Sequence, residues 1–209
     1  MPDEHKGEFG YGDVWTWTAI DADTKLIPCW LVGERNLEDA TVFIQDLASR
    51  LANRVQLTTD GHKPYLRSVE AAFGADIDYA TLTKLYGKTP AKETTESHYS
   101  LAVCTGITLR EVSGEPDLKH ISTSYVERAN LTMRMGMRRF TRLTNAFSKK
   151  AESHMAAVAL HFMFYNFARV HQTIKTTPAI AAGIATHVWT VEEIARLLEW
   201  DAETGQWSN

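Results

Sequence analysis

The sequence predicts a mixed α/β fold in which helices cover a sheet and a helical part closes the chain. Three observations predict it. Strand-like and helix-like patterns alternate from residue 14 to residue 79, a polar and turn-rich stretch follows, and long helical periodicities then return. The chain has 209 residues, 44% of them hydrophobic and 23% charged, which is ordinary for a globular protein with a sizeable core.

The first element is the run VWTWTAI, residues 14–20, where Trp15, Trp17 and Ala19 alternate with Val14, Thr16, Thr18 and Ile20. Alternation of β-branched and aromatic residues marks a strand. The polar stretch DADTK turns the chain into a second apolar run, Leu26 to Val32. Pro28 lies in that run, and because proline cannot donate to a ladder, the strand belongs at an edge or a bulge. An antiparallel hairpin is expected.

Asn36 then caps a helix over 37–52, with Leu37, Ala40, Ile44, Leu47 and Leu51 forming its core stripe and Phe43 widening it. Val55 to Thr59 reads as a short strand, DGHKPY as a turn, residues 64–73 as a brief helix and Ile77 to Tyr79 as a fourth strand-like segment. Between residues 81 and 122 the composition favours loops, with one strand-like patch at 99–109 and room for a hairpin. Helices are expected over 123–144 and 151–170. Pro178 opens a short one, and Thr190 with Glu193 has capping-box spacing.

Several classes are disfavoured by composition. No uninterrupted apolar run reaches the ~18 residues needed to span a bilayer. The N-terminus lacks the basic and apolar regions of a secretory signal, so a soluble protein in the cytoplasm, without membrane association, is the expectation. Cys29 and Cys104 have no metal-ligand spacing and read as structural thiols. The eight histidines are scattered; His154 and His161 share a helix face but read as packed or surface side chains. Nothing points to a small-molecule cofactor. The net charge of −4 excludes a chain that is basic all round, but a local basic stripe suffices for binding nucleic acid.

Such a stripe exists. After Glu127, Arg128, Arg134, Arg138, Arg139, Arg142, Lys149 and Lys150 follow with no Asp or Glu among them. At roughly 100° per residue, Asn130, Arg134 and Arg138 fall close to Glu127 on one helix face, opposite Val126, Ala129, Met133, Met137 and Phe140. A solvated amphipathic helix has this pattern, and so does a helix that holds phosphates. Asp60 stands where a strand ends and a Gly turn begins, a position that projects a side chain from the carboxyl edge of a sheet. TDG alone is a turn signal. Two carboxylates converging beside a basic helix would repel one another unless they held divalent cations, and that combination suits metal-dependent phosphoryl transfer.

The stretches WTWTAIDADTKLI, TTDGHKPY, ISTSYVERANLTMRMGMRRFTRLTNAFSKK and FYNFARVHQTIKTTPAIAAGI resemble the catalytic half of DDE transposases of bacterial insertion sequences, of the insertion-sequence-one type. The resemblance covers about Asp13 to Ile184 and implies a ribonuclease H-like catalytic domain over 14–184, with a loop-rich insertion at 81–122 and a C-terminal helical tail at 185–209. It makes Asp60 the second acidic ligand and Glu127 the third, meeting above one sheet edge on two shared Mg²⁺ or Mn²⁺ ions. Arg134 takes the place of the basic residue that contacts the transposon end; Asn130, Arg138, Arg139, Arg142, Lys149 and Lys150 complete the expected DNA-binding set. A homodimer or higher assembly on DNA is implied.

One part of the family pattern is missing. The family's first Asp lies in a DE-x-W stretch on its first strand, central in the order 3-2-1-4-5, and this sequence has no such stretch. Residues 1–13 resemble the loop that follows that strand, so Met1 is expected to fall inside a longer protein. The low-ranking substitute for the absent ligand is Asp21, which the resemblance places in a hairpin turn; Asp13 and Asp23 have weaker claims. The expectations are therefore DNA cleavage and strand transfer or, alternatively, an inactive truncated transposase that keeps only DNA binding. Another ribonuclease H-like nuclease is the third reading.

Overall fold

The computed structural model describes residues 14–87, 103–140, 145, 146, 148, 150–197, 199–201 and 206–208. They divide into two compact units, one formed by the residues up to Glu34 together with those from Tyr125 onward, the other by Arg35–Ser124.

In the first unit, β1 (Trp15–Thr18) pairs antiparallel with β2 (Trp30–Gly33), Trp17 opposite Leu31. Trp17 is buried, and its indole N–H donates to the Glu34 carbonyl at 3.1 Å. The expected hairpin is present, but β2 starts later than its apolar run: Pro28 precedes it, and the chain from Lys25 to Cys29 is irregular. That irregular segment is held from the side. Buried Asn166 accepts from the Ile27 N–H at 3.0 Å and donates to the Ile27 carbonyl at 2.9 Å, imitating a strand partner, while the Ala19 N–H still donates to the Cys29 carbonyl at 3.2 Å and the Asp21 N–H to the Leu26 carbonyl at 2.8 Å.

Helix α3 (Ser124–Gly136) and α4 (Ala151–Met163) build the core of this unit, where Ala129, Met133 and Met137 meet Val158, Phe162 and Tyr165 over Ile27 and Val32. The apolar arc expected of α3 is the arc that packs. The helix is shorter than its periodicity suggested, because it ends at Gly136 and a 3-10 turn over Arg138–Phe140 follows. Past Met163 the chain widens into a π-helical turn, Phe164–Ala168, closed by the Arg169 N–H donating to the Phe164 carbonyl at 2.9 Å. Two short helices follow, α5 (Pro178–Ala181), capped by Thr177, and α6 (Val191–Ala195), whose Thr190–Glu193 capping box forms as expected. The tail then departs from the expected helical character: Glu199–Asp201 (β6) pairs antiparallel with Gln206–Ser208 (β7).

The second unit holds a mixed three-stranded sheet flanked by helices. Its order is β3 (Gln56–Thr59), β4 (Asp78–Gly87), β5 (Val103–Ser113), with β3 and β4 parallel and β4 and β5 antiparallel. The parallel pair needs a crossover, and α2 (Pro64–Phe73) supplies it. Helix α1 (Leu37–Ser49) buries Ala40, Phe43, Ile44 and Leu47, with Asn36 accepting from the Asp39 N–H at 2.8 Å as N-cap. In the stretch read as loops with room for a hairpin, the hairpin is present and longer than the strand-like patch at 99–109 suggested. β4 runs eight residues past the expected Tyr79, and β5 answers it from Val103. Alternating Thr, Leu and Tyr in ATLTKLYG carried that strand signal, outweighed in the sequence reading by the polar residues at 88–98, which lie outside the described residues.

Candidate functional site

Asp60 follows the last residue of β3 and is exposed at the carboxyl end of the strand. Its Oδ1 accepts from the His62 N–H at 3.0 Å, the side-chain turn that lets the chain leave the sheet. The Thr59 and Tyr79 hydroxyls share a buried hydrogen bond of 2.7 Å, tying the end of β3 to the side chain of the second residue of β4. Burial raises the Tyr79 phenol, opposed by the bond to Thr59. Gly61 is required by space, because a Cβ there would overlap the Thr83 hydroxyl on β4. His62 was not singled out in the sequence. Burial, then the charge of Arg35, lowers its pKa, with Asp60 pulling the other way, so a largely neutral imidazole stands two residues from the carboxylate.

In the other unit, Glu127 is exposed in the first turn of α3, where the helix dipole favours a negative charge. Asn130 lies one turn on; its Oδ1 is buried and has no hydrogen-bond partner among the described residues. Arg134 is exposed, its Nε donating to the Asn130 carbonyl at 3.3 Å. Arg138 departs from expectation. The helix has ended before it, so it stands exposed on the 3-10 turn and does not continue the line through Glu127 and Arg134. Arg139, on the same turn, donates to the Ser148 hydroxyl at 2.9 Å, and Lys150 is exposed just before α4. Arg142 and Lys149 lie outside the described residues. Among the described residues, Arg134, Arg138, Arg139 and Lys150 have no carboxylate partner.

Asp21 is occupied elsewhere. Its carboxylate accepts from the Thr24 hydroxyl and from the Asp23 and Thr24 amides, closing the turn between β1 and β2. Burial raises its pKa, the bonds from Thr24 and Asp23 lower it, and the net result is below the ordinary aspartate value. A carboxylate held by its own turn serves the hairpin, which is the position the resemblance assigned to it.

Asp60 thus belongs to one unit and Glu127 to the other. Among the described residues no group of three or more His, Cys, Asp or Glu side chains could hold a metal ion. The donors in view fall short of a full cation cage, which for Mg²⁺ or Mn²⁺ needs about six oxygens from carboxylates, phosphates and water. No helix of the described residues is long and apolar enough to cross a membrane. No family model matches the chain, and no curated protein or solved structure matches it.

Proposed function

We propose that this chain derives from the catalytic half of a DDE transposase of the insertion-sequence-one type, with a ribonuclease H-like fold, and that by itself it binds DNA with little cleavage. The observation that carries this reading is the setting of the two acidic residues. Asp60 ends a strand paired in parallel with its neighbour, and Glu127 opens a helix whose later turns and sequel are arginine-rich. An antiparallel β1–β2 pair in one unit and, in the other, a parallel β3–β4 pair extended by antiparallel β5 are compatible with an α/β fold of this kind. β1 and β3 each have a strand partner on one side alone among the described residues. Thr16 and Thr18 on β1 keep buried hydroxyls without partners among the described residues, at a cost of ~1 to 3 kcal/mol each.

In this reading Asp60 and Glu127 would be the residues that hold Mg²⁺ or Mn²⁺, and Asn130, Arg134, Arg138, Arg139, Arg142, Lys149 and Lys150 would contact the phosphates of the DNA. Bound cations would activate the attacking oxygen and stabilise the leaving one. Two carboxylates in place of the family's three would hold such ions weakly.

Two assays on the purified chain test this. DNA binding should weaken steeply with added salt and show little sequence selectivity, while cleavage and strand transfer on paired DNA ends stay negligible in Mg²⁺ or Mn²⁺. Robust strand transfer by residues 1–209, abolished in Asp60→Asn and in Glu127→Gln, would restore the active enzyme; simple cleavage without joining would favour a nuclease. If Asp60 and Glu127 serve the same ions, each of those substitutions removes the same weak Mn²⁺ binding rather than part of it. A chain with no affinity for DNA sinks the proposal.

A further inference from the structure

Strand β5 is the outermost strand of its sheet among the described residues, and it is poorly protected for an edge. Natural edges are blunted by proline, by charges or by bulges that twist the strand away. β5 has no proline. Its two register irregularities, between Tyr79 and Ala80 and between Leu85 and Tyr86 on the partner strand, leave the run from Gly106 to Glu111 regular. On one face of that run Ile107 is 59% exposed and Leu109 47%, although the partner of Leu109, Leu82, is buried with Ala80 and Ile121. On the other face Gly106 borders the irregularity at Thr105 and leaves open space, since a Cβ there would meet Leu85 Cδ1 at an ordinary 3.7 Å.

We propose that this edge pairs with itself, two copies of the chain joining antiparallel through β5 about a two-fold axis at Thr108. The occupant is a second copy because the strand is complementary to its own reverse in one register. Placing Thr108 opposite Thr108 sets Ile107 against Leu109 twice, so four exposed apolar side chains form one patch across the axis. The same register sets Arg110 against Gly106, whose missing side chain leaves a shelf beside Leu85 for the arginine stem. Sliding the strands either way spoils this. With Leu109 on the axis, Ile107 faces Glu111; with Ile107 on the axis, Leu109 faces Thr105 at the irregularity; and with Arg110 on the axis, like charges oppose. The pairing uses β4 and β5 alone and is independent of the metal chemistry proposed above.

The test is cross-linking of the full chain. In a Cys104→Ser background, Thr108→Cys should form an intermolecular disulfide on mild oxidation, because directly opposed residues of an antiparallel pair lie ~4.5 to 5.5 Å apart at Cα, within disulfide reach. Cys104 of the unmodified chain should not cross-link, since this register holds its two copies on the order of 27 Å apart. Light scattering should show a concentration-dependent dimer, and Ile107→Lys should weaken its dissociation constant by about tenfold while leaving the circular dichroism unchanged. A chain that stays monomeric at ~100 μM, a dimer insensitive to Ile107→Lys, or cross-linking at residue 104 in place of residue 108 overturns the proposal.

Discussion

Single side chains in this protein stand in for backbone partners. Asn166 is the clearest case: it is 8% exposed and satisfies both the N–H and the carbonyl of Ile27 in the irregular run before β2. Asn166→Ala leaves two buried backbone groups unpaired, so a loss of about 2 to 4 kcal/mol is expected in urea unfolding. Asn166→Asp keeps the acceptor but loses the donor and should recover only part of it. Glu193 acts similarly at the other end of this unit. The Thr190 backbone N–H, then His187 and the Thr190 hydroxyl, hold its carboxyl down from 4.5 to about 2. A depressed carboxyl pKa adds stability that is complete above the unfolded value and disappears as pH falls through the folded one. Helix α6 should therefore fray between about pH 4.5 and 2, measurable as chemical-shift changes at Thr190 and Glu193. Glu193→Gln should remove that transition.

At the scale of elements, the turn that presents Asp60 depends on how closely it approaches β4. A Cβ at Gly61 would overlap the Thr83 hydroxyl, so Gly61→Ala should destabilise the protein by ~1 to 3 kcal/mol, as overpacking does. Thr83→Ala in the same molecule should recover most of that loss; strictly additive costs in the double-variant cycle would mean that the two residues do not collide. Glycine after Asp60 looked like a turn residue in the sequence, and its packing role appeared only with β4 alongside. The end of α3 teaches the same lesson. Periodicity from Val126 to Phe140 placed the buried arc correctly, because helix burial repeats whatever lies beyond. It misplaced Arg138, because a helical wheel assumes that the helix continues, and this one stops at Gly136. The β4–β5 hairpin was only half legible for another reason. β-pairing is a property of two segments, and the partners lie up to 34 residues apart in sequence.

For the whole molecule, charge and its placement set the expected behaviour toward DNA. The chain carries a formal −4, yet the segment from Arg128 to Lys150 holds seven cations and no acid. A polyanion should therefore be attracted locally to a protein that is negative overall, through a field that salt screens over roughly 8 Å at physiological strength. Each phosphate neutralised adds about −0.9 to the slope of log affinity against log salt. Replacing Arg134 and Arg138 together by Ala should lower that slope by about 2 and weaken binding to all DNA sequences alike. Unchanged affinity in a salt titration would make the stripe a solvated face.

What the amino-acid order alone determined was local: the β1–β2 hairpin, the faces of α1 and α3, the caps at Asn36 and Thr190, and the strand end that exposes Asp60. Each follows from periodicity or from hydrogen bonds between residues a few positions apart. Tertiary structure decided the rest: that β3 and β4 run parallel, that Asn166 replaces a strand beside Ile27, and that β5 is left as an edge among the described residues. These depend on which distant segments meet, and a backbone donor or acceptor carries no mark in the sequence of the partner that will satisfy it.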